Sequence, residues 1–408
     1  MSASDLTKTE FAFKITYSRF MKEAVARRRP TWDLLKKTYD WTGLNDFRYP
    51  VMIANPQGVG GTFSGAKNNA THGSTGDQFT AGRRSRFGYG TIDSEALRAS
   101  RNDNGAFFRL ADRELRGTLA EHEDTLDHSL FRNATGARGR IAASGGVPGG
   151  GVIVLANRYD LRWIKVNMTL IGSPNANGSS PRVGDMIVQK VNFQDGEIVV
   201  DATAASLANN DYLFRKSEDA NTSAPPDGFQ SVIPLAADLG TFRGVDQTVD
   251  RERYAGWCIE DPDTNPEDNV AELITQMGAY DNFSNRNMLV VMHPVQAQRV
   301  CKRANGKRIY IDTKGKPAQI GFGAWEIETP MGAATLLPDG GCVLTDGWVL
   351  TPSSWEIKAL DALPHLNDED GNMTLRQSDG AGVEYRTQSF SNLICYEPYQ
   401  NGRFTMNS

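Results

Sequence analysis

The chain has 408 residues, 39% of them apolar and 23% charged, enough for a buried core and for more than one domain. A formal charge of −5 excludes a protein whose bulk charge drives it onto nucleic acid or an anionic membrane, and no run of about 18 apolar residues offers a membrane span. Four cysteines, Cys258, Cys301, Cys342 and Cys395, lie far apart without a C-x-x-C pair, which argues against a zinc ribbon or a redox pair.

The start, MSASDLTKTE, lacks the character of a signal peptide, so a cytoplasmic protein is expected. Residues 1–47 read as partly helical and locally basic. KEAVARRRPTWDLLKK carries Arg27, Arg28, Arg29, Lys36 and Lys37, and Pro30 should end one helix and allow another. Two readings stand for this arm: phosphate contact, or a solvated helix face. Residues 48–92 are rich in Gly, Asn, Ser and Thr, yet VMIA and FGYGTI read as strands at the two ends, with about thirty residues of turn chemistry between them. A two-stranded excursion of this kind buries too little to stand alone and calls for a partner surface.

GAFFRLADRELRGTLAEHEDTLDHSLFRN is the clearest helix, capped by Asp103 or Asn104. Phe108, Ala111, Leu115, Leu119, His122, Leu126 and Leu130 recur every three to four places. Residues 105–132 would reach about 42 Å. The opposite face, with Arg113, Glu114, Arg116, Glu121, Glu123, Asp124 and Asp127, expects water or another subunit. SGGVPGGG at 144–151 reads as a linker or tight turn, without the spacing of a phosphate loop. From 152 to 214, VIVLA, LRWIKVNMTLI, DMIVQKV, GEIVVDA and DYLFRK read as a small antiparallel unit. Helices are expected at 269–280 and 293–306 around the strand MLVVM, which suggests a compact α/β lobe. The acidic run EDPDTNPED reads either as a solvated, helix-capping loop or as a calcium site, although EF-hand spacing is absent. FGAWEIETP, GAATLLP, GCVLTDG and SWEIKAL should be strands of that lobe, and the tail from Gly382 alternates like two long strands.

Catalytic chemistry has no visible carrier. His122 and His128 are six apart and do not share a helix face, and no G-x-S-x-G, H-E-x-x-H or H-x-E…C-x-x-C occurs. No catalytic, cofactor-binding or metal-binding residues are therefore assigned, and an enzyme is not expected. A rod, a long hairpin and a basic arm each carry surface that a monomer leaves unused. Self-association is the physical answer, with Arg83, Arg84 and Arg86 of the hairpin meeting the acidic face of a neighbour's rod. Phe79 and Phe87 are the apolar anchors expected in that contact.

Five stretches in order, GTFSGAKNN, FGYGTIDSEALRASRNDNGAF, GDMIVQKV, LGTFRGVDQTVDRERYAGW and SFSNLICYEPYQNGRFTM, resemble the major capsid protein of tailed bacteriophages, across about residues 45 to 408. The resemblance implies the α+β Hong Kong 97-type fold, shared with encapsulins and the floor domain of herpesvirus shells. It implies an N-terminal arm at 1–47, an extended loop (the E-loop) at 48–92, and a peripheral domain at 93–149 with its spine helix at 105–132. A β-rich insertion at 150–225, a mainly axial domain at 226–385 and C-terminal strands at 386–408 returning to the peripheral domain complete the set. Glu95 and Arg98 would sit at the junction of E-loop and spine, and Arg27, Arg28, Arg29, Lys36 and Lys37 would face interior DNA without sequence preference. Lys67, the sole lysine of the E-loop, sits beside Asn68 and Asn69 but is read as a turn residue rather than a crosslinking one. The implied function is a structural subunit forming hexamers and pentamers of an icosahedral virion shell around double-stranded DNA, assembled in the cytoplasm of a bacterial host. A portal protein and a separate scaffolding protein are the expected partners, with a decoration protein as a further one and no membrane. The alternative is an encapsulin-like bacterial shell, or less readily another virion structural protein.

Overall fold

A computed structural model describes residues 29–43, 45–71, 73–95, 104–147, 149–202, 206–281, 288–306, 325–329, 331–367, 375–377 and 380–407. The chain enters through α1 (Pro30–Leu34) and β1 (Lys36–Thr38), then runs out along β2 (Asp46–Ala54), over α2 (Phe63–Asn69) and back along β3 (Thr75–Gly82). Thr62 caps α2 by accepting a hydrogen bond from Gly65 N at 3.1 Å, and Lys67 lies in this helix rather than in a turn. The strand β4 (Arg84–Asp93) leads to the spine helix α3 (Asn104–Leu130). The expected helix at 105–132 is thus present, and the glycine block after it is a turn: Gly149, Gly150 and Gly151 all have positive φ.

The expected hairpin differs in its pairing. VMIA belongs to β2, but its antiparallel partner is β3, with Tyr49 opposite Phe79 and Phe47 opposite Ala81. FGYGTI belongs to β4, which instead pairs over its whole length with β21 (Gly382–Cys395), Phe87 opposite Gln388 and Tyr89 opposite Arg386. β2–β3 is therefore a two-stranded ribbon anchored at one end, and β4 is already part of a sheet.

Among the described residues, three six-stranded sheets organise the remainder. The first joins β4 and β21 to β1, β18 (Trp355–Ala359), β19 (His365–Leu366) and β20 (Leu375–Arg376). The second is the small antiparallel unit, ordered β5 (Ala137–Arg140), β10 (Tyr212–Arg215), β7 (Thr169–Ser173), β8 (Met186–Asn192), β9 (Glu197–Val200) and β6 (Val152–Val154). Alternation decides its faces: Met186 and Val188 of β8 point into a core with Ile153, Leu170, Ile198 and Leu213. The third sheet runs β13 (Trp257–Ile259), β22 (Gly402–Thr405), β17 (Asp346–Leu350), β14 (Met288–Met292), β16 (Gly332–Pro338) and β15 (Trp325–Thr329). Strand β17 is DGWVL rather than the expected GCVLTDG, because Trp348 and Val349 are the residues that fill the core.

The short helices α4 (Ala220–Ser223), α5 (Phe229–Val232) and α6 (Arg251–Ala255) bridge these layers, and β11 (Thr241–Phe242) pairs with β12 (Val245–Asp246). The expected helices of the lobe are α7 (Pro266–Asp281) and α8 (Pro294–Gly306). Val270, Leu273, Ile274 and Met277 of α7 pack on Val290, Val349 and Phe404 of the third sheet. Leu126, Leu130 and Phe131 at the end of the spine share a core with Phe229, Trp348 and Trp355. This core ties the spine helix to the first and third sheets.

Candidate subunit interface

The β4–β21 pair has two unlike faces, and glycine decides which is which. A Cβ at Gly88 would stand 2.2 Å from Thr387 Oγ1, and one at Gly90 would stand 2.2 Å from the ring of Tyr385. Only glycine lets β4 close onto this side, where the spine crosses the sheet. His122 of the spine is buried there, with Nδ1 3.0 Å from Thr387 Oγ1 and Nε2 2.8 Å from Ser389 Oγ. Burial, with Arg86 nearby, lowers its pKa to about 4, so the ring stays neutral as a structural bridge. Thr118 Oγ1 of the spine also donates to Tyr385 Oη at 3.2 Å.

Because side chains alternate along a strand, Phe87 and Tyr89 point the other way. Phe87 is 72% exposed and Tyr89 48%. Phe87 meets the half-buried Phe390 edge-on with ring centroids 5.8 Å apart, and Arg83 lies over Phe390 at 5.6 Å. Tyr89 Oη donates to Glu384 Oε2 at 3.0 Å. The result is an aromatic surface edged by Arg83 and Arg386 and held on a rigid pair of strands. A second exposed apolar group lies at the free end of the β2–β3 ribbon: Met52, Val59 and Phe63 are 57%, 79% and 90% exposed.

The other residues singled out in the sequence are placed differently. Phe79 is 1% exposed and buried by its own chain, stacked on Tyr49 at 5.4 Å and meeting Tyr254 edge-on at 5.8 Å. It anchors the base of the ribbon to the body instead of presenting an apolar anchor to a neighbour. Arg86 is likewise buried, donating through Nη2 to Ser223 O at 3.0 Å. It forms part of a cleft of about 570 Å³ between β4, the spine and the β-rich unit, with Thr118, Glu121 and Arg215. Arg83 and Arg84 are half-buried, Glu95 is exposed, and Arg98 lies outside the described residues.

The acidic face of the spine is not left for another subunit. Arg29 binds Glu123 at 2.5 Å and Asp124 at 2.8 Å and also donates to Ala120 O, while Lys165 binds Glu121 and Asp124 and Arg215 binds Glu121. These bases come from the arm and the β-rich unit, which wrap the helix. Arg29 is therefore 9% exposed and committed to the spine rather than to DNA. Lys37 donates to Trp32 O at 2.8 Å, and burial lowers its pKa. Lys36 is exposed but paired with Glu356 at 2.9 Å. Arg27 and Arg28 lie outside the described residues. Among the described residues, no cluster of three or more His, Cys, Asp or Glu could hold a metal, and no helix is long and apolar enough to cross a membrane.

No protein-family profile and no curated protein matches this sequence. Solved structures do. The chain is similar to one in the cyanophage A-1(L) capsid asymmetric unit, with 10% identity, 96% of this chain and 95% of that chain covered, and a TM-score of 0.53. A Mycobacterium phage Che8 chain is 11% identical over 96% of each chain with a TM-score of 0.44. A chain of the holo-SrpI encapsulin complex from Synechococcus elongatus PCC 7942 is 9% identical over 99% of this chain and 96% of that one, with a TM-score of 0.42. The cyanophage likeness spans nearly both chains and shows the fold: this protein has the α+β Hong Kong 97-type architecture.

Proposed function

We propose that the chain is a structural subunit that self-assembles into pentamers and hexamers of an icosahedral capsid enclosing the double-stranded DNA of a tailed phage. The observation that carries this reading is the likeness to the cyanophage A-1(L) capsid chain over 96% of the sequence. The geometry supports it. A shell subunit needs rigid surfaces with unsatisfied apolar area, and the outer face of β4 supplies one in Phe87 and Tyr89. Arg83 and Arg386 at its margin suit the polar rim of such a contact. Many individually weak contacts of this type, repeated around a closed lattice, sum to a stable particle while allowing errors to be corrected during growth. The subunit's role is mechanical, and no reaction is assigned to it. Exposed Lys36, with Arg27 and Arg28 of the sequence, suits non-specific contact with packaged DNA. A portal, a scaffolding protein and a virion location belong to the same reading.

Sedimentation of the purified protein, followed by assay of the particle contents, is the test. Fast-sedimenting closed particles are expected, holding DNA when made during infection. A slow-sedimenting monomer under all conditions would refute a shell, and particles holding a protein cargo without DNA would shift the reading to a bacterial encapsulin.

A further inference from the structure

Four separate parts of the chain meet at Asp127, near the end of the spine helix. This side chain has no solvent exposure, and neither carboxylate oxygen accepts a hydrogen bond. Arg162, on the turn Arg158–Trp163, places Nη2 3.8 Å away, beyond hydrogen-bond reach. The fourth part is the loop after β16, whose Asp339 is a carboxylate already supplied with donors. Its Oδ2 accepts from Thr31 N at 3.1 Å and Thr31 Oγ1 at 2.6 Å, and its Oδ1 from Gly341 N at 2.8 Å. Both acids line the space above Gly341: an added Cβ there would stand 3.1 Å from Asp127 Oδ2 and 3.2 Å from Asp339 Oδ1.

The surrounding charges do not neutralise this pair. Arg29, on the arm side, is taken up by Glu123 and Asp124, and Lys165 of the β-rich unit also binds Asp124. His293, before α8, packs on Tyr159 at 4.7 Å, and burial lowers its pKa to about 4. His128, one residue along the spine, is buried against Trp163 and is also held neutral by burial. Arg162 and the already committed Arg29 are thus the cations that act on Asp127, and they do not offset its burial beside a second acid. A buried carboxylate without a hydrogen bond, beside a second one, is costly when charged and tolerable when it carries a proton. Burial and the neighbouring Asp339 accordingly push Asp127 up to about 8.

We propose that Asp127 is a proton-operated latch: protonated, it lets the arm, the spine helix, the turn of the β-rich unit and the loop after β16 pack together, and deprotonated it drives that junction apart. The consequence for a particle, loosening of the lattice in mild alkali, rests on the shell reading above. The latch itself is a property of one subunit. Because the group binds its proton more tightly folded than unfolded, its stabilisation is complete below the ordinary carboxyl range and is lost as pH rises to about 8, then levels off.

Thermal denaturation of the purified full chain between about pH 5 and about pH 9, wild type against Asp127→Asn, tests this. The wild-type folding equilibrium should fall relative to the variant by up to about tenfold per pH unit until about pH 8. Protection of the Thr31 and Gly341 backbone amides, taken relative to intrinsic base-catalysed exchange at each pH, should fall as pH rises in the wild type alone. Should the variant not fold, infrared spectra of the wild type decide: a protonated-carboxyl band present near neutrality should disappear above pH 8. Parallel stability profiles, or no such band, would overturn the latch. Closed particles with parallel profiles would remove the latch and leave the shell. Diverging profiles in a protein that never assembles would do the reverse.

Discussion

Phe87→Ala separates assembly from folding. The ring is 72% exposed, so its removal takes little from the folded subunit, and a change within about 0.5 kcal/mol is expected in urea denaturation. In the proposed lattice the same ring would be covered by a neighbouring copy. A phenylalanine presents roughly 200 Å², of which the exposed share is about 140 Å². At about 25 cal/mol per Å² its burial contributes at most about 3.5 kcal/mol per contact. A loss of that size would raise the concentration needed for assembly by up to about 300-fold. The assay is light scattering against subunit concentration, with denaturation midpoints measured on the same preparations. Phe79→Ala is the contrast: its ring is enclosed by its own chain, so a loss of about 3–5 kcal/mol should fall on folding itself. Normal assembly of Phe87→Ala at wild-type concentrations would refute the assignment of the outer β4 face, and a stable Phe79→Ala subunit would refute the anchoring role of the buried ring.

Three further outcomes follow from the same contacts. Gly90→Ala forces a methyl group into the Tyr385 ring and strains its bond to Thr118, so destabilisation of about 1–3 kcal/mol is expected in chemical denaturation. Arg29→Ala leaves Glu123 and the buried Asp124 short of a partner, and a loss of about 3–5 kcal/mol should appear as a lowered Tm with faster amide exchange along the last turns of the spine. His122 resists protonation until about pH 4, whereas the unfolded ring charges near 6.5. Its contribution is therefore present above 6.5 and lost as pH falls towards 4. Wild type should lose Tm over that interval relative to His122→Gln, and equal slopes would contradict a buried neutral bridge.

The spine helix was legible because six apolar residues and His122 at helical spacing outweigh any local ambiguity. The pairing of the ribbon was not. In TGDQFTAG only Phe79 and Ala81 face inward, too few to announce a strand by alternation, and the true partner of β4 begins nearly three hundred residues later. Phe79 and Phe87 look alike in sequence, yet they occupy different strands in different sheets, so one is enclosed and the other presented. The acidic face of the spine misled in the same way: Arg29, Lys165 and Arg215 reach it only through tertiary folding. Tyr89 carried a readable signal, since FGYGT alternates aromatic residues with glycine, and glycines at one parity mark the side where another element closes in.

Cryo-electron microscopy of the assembled protein bears most directly on the central claim. The account places Phe87 and Tyr89 beneath density from a second copy, in closed particles built of five-fold and six-fold rings. Particles in which both rings face solvent, or a protein that remains single under assembly conditions, would contradict it.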